Sequence, residues 1–234
     1  DHEAAIAFVF AAAGALDDRR AAPDGSDEQR RAYQLLRLLT PIAKYRTARQ
    51  AVETASYACE VLGGNGYVEG FVTERMLRDA QVLPIWEGTS NILSLDVLRA
   101  LDREDAHEAL LPHVRTRLNE IEREALLPTA GTVESAFADL QTALAHLATA
   151  ERREAQYEAK RLADLVFDVV AGTHLLEAAQ SRLDEGHDGR MALVARSFVR
   201  ERFETDRGIT SGETPADDHF DAIVRFAPVE PADL

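Results

Sequence analysis

Apolar positions recur every three or four residues along most of the chain, and that recurrence fails only in short runs of glycine, proline and polar residues. From Ile42, the positions Tyr45, Val52, Ala55, Cys59 and Leu62 trace one stripe, which stops at Gly63-Gly64 as helices commonly do. Leu110, Val114, Leu118, Ile121 and Ala125 trace a second face, and Val133, Phe137, Leu140, Leu144 and Leu147 a third. Leu162, Leu165, Val166, Val169, Leu176, Ala179 and Leu183 line a long helix that Gly186 ends; Met191, Val194, Ala195, Phe198, Val199 and Phe203 line another. At the start, Ala4 to Leu16 is alanine-rich and apolar, and Asp17-Asp18-Arg19-Arg20 with the turn Pro23-Asp24-Gly25-Ser26 signals its end. A second helix is expected from Asp27, carrying Tyr33, Leu35, Leu36 and Leu39, and Thr40-Pro41 reads either as a new helix start or as a kink.

No segment alternates with period two. The pattern predicts an all-α protein, an antiparallel helical bundle with an additional helical C-terminal region. Its expected parts are residues 1–103, a second bundle region over 104–207, and a linker and tail over 208–234, the linker being polar from Gly208 to Asp218.

Two of the breaks hold the residues that chemistry could use. Gly63-Gly64-Asn65-Gly66-Tyr67 interrupts the helical pattern first. Glycine there serves either as a plain helix stop or to let backbone approach a ligand. A short helix over Val72 to Ala80 carries Arg75, Arg78 and Asp79, and Pro84 ends it. Ile85-Trp86-Glu87-Gly88-Thr89-Ser90-Asn91-Ile92 then leads into a helix with Leu95, Leu98 and Leu101 on its apolar face. The Thr89 and Ser90 hydroxyls lie where caps belong, the helix start favours a nearby anion, and Glu87 reads as a capping carboxylate or as a reactive one.

Charge narrows the partners. The formal net charge of -15 counts against nucleic acid, because neutralising phosphates needs clustered Lys and Arg. Lys44 and Lys160 are the only lysines among 26 basic residues, against 41 acids, a balance expected of a protein adapted to a salty cytoplasm. No apolar run reaches the about 20 residues of a membrane span, so a soluble cytoplasmic protein is the expectation. The single cysteine, Cys59, falls on an apolar face and reads as buried packing; no Cys or His pair has zinc spacing, so no metal site is expected. His107, His113, His146 and His174 read as structural.

Cys59-Glu60-Val61-Leu62-Gly63-Gly64-Asn65-Gly66-Tyr67, then Arg75-Met76-Leu77-Arg78-Asp79, then Ile85 to Ile92 together resemble the C-terminal helical domain of the acyl-CoA dehydrogenase family. Order and spacing both match over about residues 30 to 101, and Leu95-Asp96-Val97-Leu98-Arg99-Ala100-Leu101 brings the likeness nearest to the AidB-like branch.

The resemblance implies an FAD-dependent enzyme that takes an α-proton and a β-hydride from an acyl-CoA thioester and passes electrons to an electron-transfer flavoprotein. It implies Glu87 as the catalytic base, its N–H as a donor to the thioester carbonyl, and Trp86 and Gly88 beside the acyl-CoA. Thr89, Ser90 and Asn91 would meet the cofactor's phosphate or ribose end. Gly63 and Gly64 would let backbone approach FAD, with Glu60 nearby, commonly across a subunit interface. Glu60 and Asn91 stand where glutamine is usual, and Trp86 where tyrosine is common. The N-terminal helical domain and the flavin-holding β domain of the family are not represented, so the resemblance implies either a fragment or processed product, or a separately encoded partner chain that carries them; a homo-oligomer or such a partner chain is the expected assembly. The alternative is a helical oligomerisation or regulatory module without turnover.

Overall fold

Pro41 does not start a new helix. The computed structural model describes residues 1–204 and 219–233, and in it the helix Asp27–Leu62 runs unbroken past that proline. Thr40 Oγ1 donates to the Leu36 carbonyl at 2.7 Å, one turn back, which ties this pair into the helix instead of capping a new one. Ser26 is the cap that is used: its hydroxyl accepts from the Gln29 N–H at 3.1 Å.

The helices are α1 (His2–Ala21), α2 (Asp27–Leu62), α3 (Gly64–Tyr67), α4 (Val72–Gln81), α5 (Ser90–Glu104), α6 (His107–Asn119), α7 (Leu127–Thr149), α8 (Arg152–Asp184), α9 (Arg190–Phe203) and α10 (Phe220–Arg225), and no strand occurs among the described residues. Short 3-10 turns lie at Glu124–Leu126 and Pro231–Asp233. The helix read over Ala4 to Leu16 extends through Asp17-Asp18-Arg19-Arg20, whose arginines sit favourably on its C-terminal turn. Pro128 lies in the first turn of α7, where its missing N–H costs nothing, and Gly131 falls inside that helix instead of before it. The linker expected over 208–218 lies outside the described residues.

The bundle is assembled around α8, which packs against α1, α2, α5, α6, α7 and α9. Val97 and Ala100 of α5 belong to the same buried core as Ala106, Leu110 and Val114, so the apolar interior is continuous through residue 103. Polar ties cross it. Arg37 of α2 grips Asp96 of α5 with two bonds of 2.9 and 2.8 Å. Arg46 reaches Asp164 of α8 at 2.7 Å, and the Tyr45 hydroxyl donates to the same carboxylate at 2.9 Å. Forked arginine–carboxylate bonds of this kind fix direction as well as distance.

The stripe on α2 leaves the core before its end. Burial continues from Leu35 to Val52, but Cys59 is only half-buried and Val61 is 78% exposed. The expectation of a buried Cys59 is therefore corrected: periodicity gives an apolar face, and α3 and α4 cover only part of it.

His113 and Arg117 of α6 meet His174 and Glu177 of α8 in a closed network beside a cleft of about 410 Å³ under Phe10 and Gly14. Arginine can only donate, so His113 Nδ1 accepts from Arg117 Nη1 at 3.0 Å. His113 Nε2–H then donates to His174 Nε2 at 2.9 Å, leaving His174 Nδ1–H to donate to Glu177 at 2.8 Å. Both imidazoles are neutral in this arrangement. Burial first, and then the Arg117 charge, push His113 down to about 3. The folded protein thus binds fewer protons than the unfolded one between about pH 6.5 and 3, and the network's stabilisation is lost as pH falls through that window.

Burial pushes Asp168 up to about 6, which shifts stability the opposite way, so the informative quantity is a difference between proteins. Denaturant titrations of the wild type and His113→Gln from pH 7 to 4 will show the wild-type advantage shrinking toward low pH, by at most about 1.4 kcal/mol per unit.

Candidate functional site

At the far end of α2, Gly63 closes the helix with φ 58°, its N–H donating to the Glu60 carbonyl at 3.0 Å. That left-handed backbone suits glycine. One turn later Gly66 is buried against α2 so tightly that an added Cβ would lie 2.2 Å from the Cys59 carbonyl oxygen. Thr73 at the start of α4 donates its hydroxyl to the Gly66 carbonyl at 3.2 Å and pins α3 to α4. Glu60, Gly63 and Gly64 are exposed, and Gly64 has open space where a side chain would be. Tyr67 beside them is 87% exposed.

The second break winds down from α4 through two turn bonds, from the Ile85 and Trp86 N–H groups to the Val82 carbonyl at 3.0 and 3.1 Å. It then reverses at Glu87 (φ 55°) and Gly88 (φ 112°) before Thr89 opens α5. A glutamate in left-handed backbone costs roughly 1–2 kcal/mol, a strain that tends to persist where surroundings enforce it. Lys44 of α2 reaches into the same stretch. Its Nζ donates to the carbonyls of Leu83 (2.5 Å), Trp86 (2.8 Å) and Gly88 (3.1 Å).

The Thr89 side chain makes no capping bond, so the hydroxyl caps expected at Thr89 and Ser90 are not formed, and the first N–H groups of α5 lack a side-chain partner. Trp86, Glu87, Thr89 and Asn91 are exposed, and Gly88 and Ser90 half-buried. Among the described residues, the Glu87 carboxylate has no ion-pair or hydrogen-bond partner. Around it Ile85 and Ile92 leave 63% and 59% of their surfaces open.

The candidate residues thus form two groups. Trp86, Glu87, Gly88, Thr89, Ser90 and Asn91 lie together at the start of α5, tied to α2 at Lys44. Glu60, Gly63 and Gly64 sit some 16 residues further along that helix, about 24 Å at 1.5 Å per residue. The structure does not gather them into one pocket of this chain. Lys44 is the residue that sequence reasoning passed over; its one signal was rarity, as one of two lysines.

Comparison with known proteins agrees with this helical architecture. Residues 1–101 match the family model for the acyl-CoA dehydrogenase C-terminal domain. That match, over less than half of the chain, shows what this part is similar to. Acyl-CoA dehydrogenase family member 11 of Caenorhabditis elegans is 42% identical over 118 residues, which is 47% of this chain and 18% of the relative. The putative acyl-CoA dehydrogenase AidB of Escherichia coli is 44% identical over 68 residues, 29% of this chain and 13% of the relative. The matches therefore span less than a fifth of these curated relatives.

Among solved structures, Caenorhabditis elegans ACDH-11 in complex with C11-CoA superposes with a TM-score of 0.77 at 29% identity, over 96% of this chain and 38% of that one. An acyl-CoA dehydrogenase complexed with FAD from Bacillus anthracis shares the fold, with a TM-score of 0.69 at 19% identity over 86% of this chain and 37% of that one. No helix among the described residues is long and apolar enough to cross a membrane, and no group of three His, Cys, Asp or Glu among them could hold a metal ion.

Gly66 and Gly64 separate packing from access. Gly66→Ala has to displace α3 from the α2 backbone and will lower stability by about 1–3 kcal/mol, whereas Gly64→Ala will stay within about 1 kcal/mol of wild type, both read by chemical denaturation.

Proposed function

We propose that this chain is the C-terminal helical part of an FAD-dependent acyl-CoA dehydrogenase, and that Glu87 is its base. The observation that carries the reading is the loop itself. A carboxylate held in strained backbone, followed by a glycine and a helix start without side-chain caps, stands free of internal partners inside an apolar rim. Strain of that kind gathers at working sites.

The roles follow from where the groups stand. The Glu87 carboxylate takes the α-proton of the acyl thioester, and the Glu87 N–H, which has no acceptor within the described residues, donates to the thioester carbonyl and steadies the charge that develops on it. Gly88 lets the loop pack close to α5, where a Cβ would meet the Leu93 side chain at 3.1 Å, and with Trp86 it lies beside the acyl-CoA. Thr89, Ser90 and Asn91 at the α5 N-terminus face the phosphate or ribose end of the cofactor, where helix N–H groups favour anions.

FAD, when bound, supplies the acceptor for the β-hydrogen and its electron pair. The residues at the end of α2 fit such a group arriving from outside the chain. Gly63 and Gly64 present backbone with open space over Gly64, flanked by exposed Val61 and Tyr67. The separation of about 24 Å between the two groups of residues fits contacts with two different cofactors in an assembly, so a homo-oligomer or partner chain belongs to this reading. Residues 1–103 then form the working face and the described residues 104–204 the buttress behind it. Electrons leave to an electron-transfer flavoprotein.

Water exclusion falls to the surface that covers Ile85, Trp86 and Ile92. In the complete enzyme, with the domains that its relatives carry, Glu87→Gln will slow bleaching of the flavin by acyl-CoA roughly 100-fold or more. An unchanged rate would leave the non-catalytic scaffold as the better account. Gly64→Ala, harmless to the fold, will release flavin from that enzyme by gel filtration more readily than wild type does, since its methyl intrudes where the backbone is approached.

A further inference from the structure

Among the described residues Lys44 has no carboxylate partner, although the chain is rich in acids. An ammonium carries three N–H donors, and all three of these end on backbone carbonyls of one segment, at Leu83, Trp86 and Gly88. The segment from 82 to 89 lies outside any helix longer than a turn, and little else holds it. Ile85 and Trp86 are exposed, and the two turn bonds to the Val82 carbonyl are local. Lys44 itself rises from the part of α2 that the core immobilises, between buried Ile42 and Tyr45.

The two later carbonyls bracket Glu87. No cis peptide bond occurs among the described residues, so in each peptide unit the C=O and the following N–H point in opposite directions. Drawing the Trp86 carbonyl in to Lys44 therefore turns the Glu87 N–H outward. Drawing in the Gly88 carbonyl sets the peptide beyond, and turns the Thr89 N–H outward likewise. With the peptide plane before Glu87 and the plane after Gly88 both held, the left-handed pair Glu87 and Gly88 is clamped between two fixed ends, which limits the direction of the Glu87 carboxylate.

We propose that Lys44 is the positioning residue of this site. One half-buried cation orients the carboxylate and the backbone N–H of Glu87 toward the same outside space. The proposal rests on the reading of Glu87 as base, but it makes a separate structural claim about the loop. Lys44 touches backbone within the protein and acts on substrate only through Glu87.

Two measurements separate the claims. In this chain, hydrogen exchange of residues 82–92 will be about 10-fold or more faster in Lys44→Met, while exchange in α8 stays at the wild-type rate and shows the bundle folded. Lys44→Arg, which keeps charge and donors, will restore much of the protection. Glu87→Gln will leave exchange of the loop unchanged. In the complete enzyme, Lys44→Met will lower kcat by about 10- to 100-fold with little change in KM, and Lys44→Arg will recover part of it.

Unchanged loop exchange in Lys44→Met overturns the proposal whatever Glu87 does, and so does a loosened loop with kcat intact. A loosened loop in an enzyme whose Glu87→Gln form keeps full activity upholds Lys44 as the brace and overturns Glu87 as base.

Discussion

Five successive residues of α8, Val169 to Thr173, are almost without solvent access, and this single fact dictates the rest of the bundle. A helix buried at consecutive positions has no outward face and needs a neighbour on every side. α1, α2 and α5 supply one half of the wall, α6, α7 and α9 the other. Gly172 shows how near the wall stands: a Cβ there would touch Val133 and Val199 at 3.4 and 3.5 Å. The part that matches the acyl-CoA dehydrogenase C-terminal domain thus spends its apolar faces on a helix outside that match, and its rigidity depends on residues 104–203.

That dependence gives α2 two mechanical regimes. As far as Val52 it is a beam, locked by Arg37 to α5 and by Arg46 to α8, both through carboxylates at less than 3 Å. Charge pairs half out of water add modestly to stability, but forked geometry resists rotation. Beyond Val52 none of the helix's residues is buried, and Tyr57, Val61 and Leu62 are open. Lys44 sits in the braced part and the glycine turn in the projecting part. The loop with Glu87 is therefore referenced to the core, whereas Gly63 and Gly64 are free to follow whatever packs on them.

Much of this was legible in the chain. Helix periodicity, the glycine stop at Gly63 and the break at Gly88 all depend on local rules, and the structure has them where the sequence places them. The same rules left Thr40-Pro41 open between two readings and misjudged Cys59 and the Thr89 and Ser90 hydroxyls, because an apolar face or a polar residue in a capping position states an opportunity and not a partner. What local rules miss altogether is contact across distance. Lys44 meets carbonyls 39 to 44 positions away, and His113 meets His174 across 61. The tautomers of that pair follow from Arg117 being a pure donor, a deduction that needs the four side chains together.

The exposed surface from Val61 to Ile92 ties the two groups of site residues into one argument. Tyr67, Ile85, Trp86 and Ile92 are open here, and their burial at about 25 cal/mol per Å² is a driving force for association that this chain leaves unused. A surface laid over them would bury that apolar area and, in the same act, remove water from around Glu87. Desolvation strengthens every charge-directed interaction at such a site, including the pull of Lys44 on the loop carbonyls. Covering the apolar rim and readying the carboxylate are therefore one event in physical terms, and the strained loop is the part already built for it.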